Sequence, residues 1–321
     1  MAGRFRGCMV GALMGDCLGA PFEGEPRATR SILQSYFRRL SDPDLKVPYK
    51  QYTDDTAMTR CVAQSLIEKK GFDAKDMARR FVKEYYAEPK RGYGSNVTDV
   101  FAALRATKFR DPYSPAAFQF NGRGSYGNGA AMRVAPVALF CYATKAGLVD
   151  TSRDTALITH ANRLGYNGAV LQCLAIYEAL HTPTNKLDSV KFIESLITKM
   201  KEIEKPSEDE LEKVLELMER GDSVSREQVE DELGVYISAH MSVPTAIYSF
   251  IRATSPVADI ESENEYQRTL HFAISLGGDT DTIASMAGSI AGEERERSYI
   301  LLLQYSIILP DSGVTNSKGI T

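Results

Sequence analysis

Apolar positions recur at intervals of three and four along most of the chain, with polar positions filling the opposite faces. This spacing predicts helices over 5–18, 56–68, 73–86, 97–106, 130–146 and 169–180, and again over 189–204, 208–220, 243–253, 266–276, 282–291 and 297–307. Alternating runs long enough for strands are missing, so an all-α fold is expected. No Gly-, Ser- or Pro-rich linker divides the pattern. One compact domain over 1–308 follows, with a loose tail over 309–321, where Pro, Gly, Ser and Asn appear without periodicity.

Composition narrows the class. The 321 residues are 43% hydrophobic and 25% charged, with a net charge of −4, the profile of an ordinary globular chain. Lys and Arg are scattered rather than gathered into a stripe, which argues against gripping a nucleic-acid backbone, so no direct DNA binding is expected. The apolar stretch 130–149 is broken by Arg133, Pro136 and Lys145, and no other approaches the length of a membrane span. Arg4 and Arg6 ahead of Cys8–Gly15 resemble a short secretory leader, but the run ends in Asp16 and reads better as an amphipathic helix. The five cysteines are well spread and form no C-x-x-C, as expected of reduced core thiols. The Glu- and Lys-rich stretch 186–234 reads as solvated helix faces.

Two acidic clusters break the apolar periodicity. Tyr52-Thr53-Asp54-Asp55-Thr56 and Gly277-Gly278-Asp279-Thr280-Asp281-Thr282 each set two carboxylates and neighbouring hydroxyls at a predicted helix start. Helix capping explains part of this, since Thr and Asp are favoured caps and acids are favoured in a first turn. Each cluster nevertheless carries more oxygens than one cap uses, and Gly277-Gly278 allows a close backbone approach. An oxygen-only set without His or Cys suits Mg²⁺, Mn²⁺ or Ca²⁺ better than Zn²⁺. A shared hard-metal site is expected.

Glycine loops form the third signal, at Gly92-Tyr93-Gly94-Ser95-Asn96 and at Gly122-Arg123-Gly124-Ser125-Tyr126-Gly127-Asn128-Gly129, each just ahead of a helical pattern. Such loops can aim N–H groups at a phosphate. The second matches G-x-G-x-x-G, but no strand precedes it, so a dinucleotide-binding Rossmann fold is excluded. Phe120 and Tyr126 can sandwich a flat base, and Ser125 and Asn128 can meet a pyrophosphate or sugar hydroxyls. His160, taken alone, reads as a structural histidine.

The ordered set of Arg6-Gly7-Cys8 through Asp16, the Thr-Asp-Asp cluster, Gly124–Arg133, Thr159-His160-Ala161, Gly165-Tyr166-Asn167-Gly168 and Leu276–Thr282 resembles the ADP-ribosylhydrolase family, of the dinitrogenase-reductase-activating-glycohydrolase type. The Gly-Ser-Tyr-Gly-Asn-Gly loop looks most like the branch that removes ADP-ribose from serine and trims poly(ADP-ribose). The resemblance implies an orthogonal helical bundle and an enzyme with two Mg²⁺ ions, for which Mn²⁺ can substitute. Thr53, Asp54 and Asp55 would hold the ions on one side, and Asp279, Asp281 and Thr282 on the other. Glu23 would reach the metals as a mobile glutamate. It implies a catalytic set of Glu23, Asp279 and Asp281, a diphosphate on Gly92, Gly94, Gly124, Ser125 and Tyr126, further substrate contacts at Ser95, Gly127 and Asn128, adenine between Phe120 and Tyr126, and His160 near the distal ribose. The implied substrates are ADP-ribosylated proteins, poly(ADP-ribose) and O-acetyl-ADP-ribose, met by a monomer in the cytoplasm and nucleus, or in the mitochondrial matrix, during the DNA damage response. The alternatives are an arginine-linkage hydrolase and a non-catalytic ADP-ribose binder.

Overall fold

Four glycines spaced four apart, Gly7, Gly11, Gly15 and Gly19, line one face of the first helix, α1 (Ala2–Gly19), and fix its distance from the last described helix, α15 (Thr280–Ala291). A Cβ at Gly11 would lie 2.2 Å from Gly288 O, one at Gly15 2.1 Å from Ala284 O, and one at Gly19 2.4 Å from Thr280 O. Going up α1 means going down α15, so the two helices are antiparallel and touch backbone to backbone. The residues that follow α1 therefore meet the residues that open α15. That pairing places the acidic cluster.

The computed structural model describes residues 2–25, 27–40, 42, 51–183, 187–203 and 208–292. Between α1 and α15 run α2 (Arg30–Leu40), α3 (Asp54–Lys69), α4 (Ala74–Ala87), α5 (Ser95–Ala106), α6 (Ser114–Gly122), α7 (Ala135–Phe140), α8 (Leu148–Leu157), α9 (Arg163–His181), α10 (Ser189–Ile203), α11 (Glu208–Arg220), α12 (Arg226–Leu233), α13 (Ala239–Ala253) and α14 (Glu265–Ser275). No strand occurs among the described residues, and the fold is all-α and a single domain. α15 is central, packed on α1, α9, α13 and α14, and nearly all its residues are buried. One apolar core runs from Cys8 to Ile290, and the five cysteines are free and buried within the protein.

Helix starts follow ordinary capping chemistry. Asp73 caps α4, Asn162 caps α9, Asn264 caps α14, and Ser225 with Gln228 forms a capping box on α12. Within α10 and α11 the apolar stripe Phe192, Ile193, Leu196, Met200, Leu211, Val214 and Leu217 is buried, in keeping with amphipathic helices.

The expected helix over 130–146 is the main departure. Only a 3₁₀ turn at Asn128–Ala130 and α7 form there, because Arg133 turns inward and Lys145 and Gly147 take positive φ. The helices α2, α6 and α8 were not expected, and α12 was foreseen only as a solvated face within 186–234. They are short or strongly polar, and α6 opens with Pro near its start and ends in the non-helical residues Gln119, Phe120 and Asn121. The helix expected over 297–307, the domain limit at 308 and the tail over 309–321 lie outside the described residues.

Candidate active site

α3 begins against α1. Asp16, fully buried near the end of α1, accepts from Thr53 N at 2.9 Å, from Thr56 N at 3.1 Å and from the Thr56 hydroxyl at 2.5 Å. Thr53 Oγ1 accepts from Asp55 N at 3.3 Å as the N-cap. Thr53 and Asp16 therefore satisfy the opening turn of α3, and the carboxylates of Asp54 and Asp55 are surplus to capping. Asp55 Oδ1 accepts from the Thr282 hydroxyl at 3.1 Å, whereas Asp55 Oδ2 is buried without a partner.

The second cluster is built from α15. Gly277 and Gly278 hold positive φ, and a Cβ at Gly278 would lie 2.1 Å from Val235 O, so only glycine fits this turn. Asp279 occupies the N-cap position but makes no cap bond. Its Oδ2 instead accepts from Asn128 Nδ2 at 2.7 Å, and its N–H donates to Val235 O at 2.7 Å. Oxygens of Glu23, Asp279 and Asp281 lie within 4.8 Å of one another, with Glu23 on the exposed turn after α1 and the two aspartates buried. Both predicted clusters thus converge, joined by the Asp55–Thr282 bond.

Among the described residues no Lys, Arg or His pairs with Asp16, Asp54, Asp55, Asp279, Asp281 or Glu23. Burial, then the nearby Asp16, pushes Asp54 up to about 7. Burial and Asp279 push Asp281 up to about 9, and burial with Asp281 holds Asp55 well above the usual carboxylate range. Asp16 is raised by burial, and Glu23 by partial burial and by Asp279. Buried carboxylates without partners are costly. An all-oxygen donor set with an orphaned Asp55 Oδ2 fits a hard divalent cation, and the acidic cluster can bind one.

The glycine loops form the walls. Asp54 N donates to Arg91 O at 2.7 Å, and Gly92, at φ +88°, would place a Cβ 3.6 Å from Asp54 Oδ1, so this loop lies over the acidic pair. Gly94 and Ser95 are exposed at the start of α5. The second loop rests on the segment between α12 and α13: Asn128 N donates to Ile237 O at 2.8 Å and Ala239 N to Tyr126 O at 3.0 Å. Gly124, at φ +70°, presses on the Ala161–Asn162 backbone, and Ser125 Oγ accepts from Gly127 N at 3.3 Å. Phe120 and Tyr126 stand at the rim, both exposed, with ring centroids 6.4 Å apart at 40°. Phe120 and Asn121 hold left-handed φ values of 51° and 58°, a strained kink that turns the ring outward.

Two of the expected residues sit deeper than the rim of the loop. Asn128 was expected to meet a sugar or pyrophosphate, yet its amide nitrogen is committed inward, to Asp279 and to the Ser242 hydroxyl at 3.1 Å. His160 is buried beneath the second loop, with Nδ1 2.7 Å from Thr159 Oγ1. Asp16, Ser242 and the Val235–Ser238 segment had no expected role. Asp16 had one legible signal, a lone acid within an apolar helical run; the other two act through backbone or a short hydroxyl and carry none.

The model of a family described as ADP-ribosylglycohydrolase matches residues 1–293. The chain is 47% identical to the ADP-ribosylhydrolase ARH3 of Mus musculus, over 90% of this chain and 83% of that protein, and 45% identical to the ADP-ribosylhydrolase ARH3 of Homo sapiens, over 90% and 84%. An uncharacterized protein of Archaeoglobus fulgidus is 28% identical over 91% and 88%. A solved structure named ADP-ribosylglycohydrolase-related protein complex shares the fold, with a TM-score of 0.58, 24% identity and coverage of 95% of this chain and 97% of that one.

Proposed function

The chain belongs to the ADP-ribosylglycohydrolase family and is a glycosyl hydrolase, and on that premise we propose that it releases ADP-ribose from serine, and from poly(ADP-ribose) and O-acetyl-ADP-ribose, with two Mg²⁺ ions in its acidic cluster. The observation that carries the cation half is the meeting of Asp16, Asp54, Asp55, Asp279, Asp281 and Glu23 with no Lys, Arg or His paired to them among the described residues, and with Asp55 Oδ2 lacking a partner. The linkage half rests on the similarity to proteins named ADP-ribosylhydrolase ARH3 and on the Gly124–Gly129 loop.

Thr53, Asp54 and Asp55 would hold one side of the ion pair and Asp279, Asp281 and Thr282 the other. Bound there, the ions supply Lewis acidity and neutralise negative charge near the scissile bond. The residues do the rest. The walls at Gly92–Ser95 and Gly124–Gly129 hold the diphosphate, and Phe120 and Tyr126 hold the adenine, with the two rings turning toward parallel around it.

Cleavage joins a water oxygen to C1″ and breaks the C1″–O bond through an oxocarbenium-like state; the water gives up a proton and the leaving oxygen gains one. Asp279 is pinned by Asn128, and Asp281 bonds its own neighbour, Thr282 N, at 2.8 Å. Glu23 alone of the three stands on an exposed turn, so it is the carboxylate free to follow the substrate and carry the proton. Asp279 and Asp281 then serve mainly to hold cation.

The test is ADP-ribose release from matched serine-linked and arginine-linked peptides. Release from serine alone supports the reading; preference for arginine reassigns the linkage, and binding without release makes the chain a binder. We further propose cytoplasmic and nuclear residence and a monomer, checked by imaging the tagged chain and by light scattering.

A further inference from the structure

His160 lies beneath the second glycine loop and is tied to a buried cation. Arg133, 2% exposed, donates through Nη1 to Gly129 O at 3.1 Å, and through Nη2 to Thr155 O at 3.1 Å and to Thr159 Oγ1 at 2.7 Å. Its guanidinium also lies 4.5 Å from the centre of the Phe81 ring. Thr159 Oγ1 in turn lies 2.7 Å from His160 Nδ1.

A guanidinium can only donate, so the Thr159 oxygen is the acceptor in its bond with Arg133 and the hydroxyl proton is left for another partner. Among the described residues the one acceptor in hydrogen-bond contact with it is His160 Nδ1. With Nδ1 accepting, the neutral ring carries its proton on Nε2. The opposite tautomer would aim two donors at one hydroxyl oxygen and strand a buried hydroxyl proton. Nε2 has no partner among the described residues, and Cβ atoms built on Gly127 and Gly129 would lie 3.6 and 3.2 Å from it. Side chains at these two positions would crowd Nε2, and glycine leaves the space beside it open.

We propose that Arg133, acting through the Thr159 hydroxyl, holds His160 as the neutral Nε2–H tautomer, a fixed donor to an oxygen of the ligand on the Gly124–Gly129 loop. Arg133 and Thr159 are then positioning residues. The ligand half of this proposal rests on the reading of that loop as an ADP-ribose site. Burial, with Arg133 beside it, also pushes His160 down to about 3, so the ring stays uncharged in ordinary buffers. A ring with one nitrogen protonated and the other already accepting cannot take a proton from water. His160 is thereby removed from the candidates for general base.

The tautomer is read by nitrogen-15 NMR of histidine-labelled protein, with the His160 signals assigned by their loss in His160→Gln. The expected result is an Nε2-protonated, Nδ1-accepting ring that does not titrate between about pH 5 and 8, whose Nε2–H signal moves on adding ADP-ribose. Thr159→Val should abolish the fixed tautomer and weaken ADP-ribose binding about tenfold, and Thr159→Ser should restore both. An Nδ1-protonated ring, a ring that titrates near its ordinary value, or an unchanged tautomer in Thr159→Val would overturn the proposal. An Nε2–H ring unmoved by saturating ADP-ribose would overturn the ligand half alone, and a protein that does not bind ADP-ribose at all would sink the underlying reading of the site.

Discussion

The Thr282 hydroxyl donates to Asp55 Oδ1 at 3.1 Å, across 227 residues of sequence, and so ties the first turn of α15 to the first turn of α3. This bond is the seam of the acidic cluster. Thr282→Val keeps the side-chain shape and removes the oxygen. We expect Mn²⁺ affinity, measured by calorimetry, to fall at least about tenfold, with a loss of stability of about 1–3 kcal/mol because the buried Asp55 Oδ1 loses its donor. Unchanged affinity would remove Thr282 from the cation site.

The raised carboxylates make a signed prediction about pH. Asp54 at about 7, Asp281 at about 9 and the raised Asp16 and Asp55 all stand above their unfolded values. Each therefore favours the fold below the unfolded pKa near 4 and stops doing so as pH rises through its folded value. The cation-free protein should lose melting temperature between about pH 5 and 8, and Mg²⁺ should raise it more at the upper pH, because the cation competes with protons. A cation-free melting temperature that climbs over that range would contradict the site's electrostatics.

Gly15→Ala tests how α1 and α15 place the site. In an exposed helix the change gains about 1 kcal/mol. Here the new Cβ would lie 2.1 Å from the Ala284 carbonyl, and overpacking against backbone costs about 1–3 kcal/mol or more. Denaturant unfolding should show destabilisation, accompanied by weaker cation binding, although no ligand has been changed.

Phe120 and Tyr126 should act on binding rather than on chemistry. Losing one stacking partner costs about 1–3 kcal/mol, so Phe120→Ala and Tyr126→Ala should raise KM about tenfold or more while kcat holds. A fall in kcat at constant KM would place these rings in the reaction instead of the adenine subsite.

The sequence made the all-α class legible because the three-and-four spacing persists through α3, α4, α5, α10, α11 and α14. It also showed both acidic clusters, since Asp54, Asp55, Asp279 and Asp281 exceed what capping uses. Their convergence was not readable from spacing, because it depends on Gly7, Gly11, Gly15 and Gly19 meeting α15 backbone to backbone. The helix expected over 130–146 failed where Arg133 outweighed the apolar pattern: its guanidinium, buried among Gly129, Thr155 and Thr159, draws the chain inward. The inward bonds of Asn128 were hidden for a related reason. An exposed-looking amide in a glycine loop carries no mark of the carboxylate to which it donates on a distant helix.

Asn128→Ala should show that coupling. It leaves Asp279 and Ser242 without their shared donor, at a cost of about 1–3 kcal/mol, and we expect kcat to fall more than ADP-ribose affinity. Equal losses in both would make Asn128 a ligand contact.

A cation-dependent hydrolytic centre where α1, α3 and α15 meet should lose its activity with the cation. The decisive experiment is ADP-ribose release from a serine-linked peptide by protein stripped with EDTA, then resupplied with Mg²⁺, for the native chain and for Asp55→Asn. Stripped protein should release nothing, Mg²⁺ should restore full release in the native chain, and the variant should recover none. Undiminished turnover in the stripped protein, or in Asp55→Asn, would contradict such a centre.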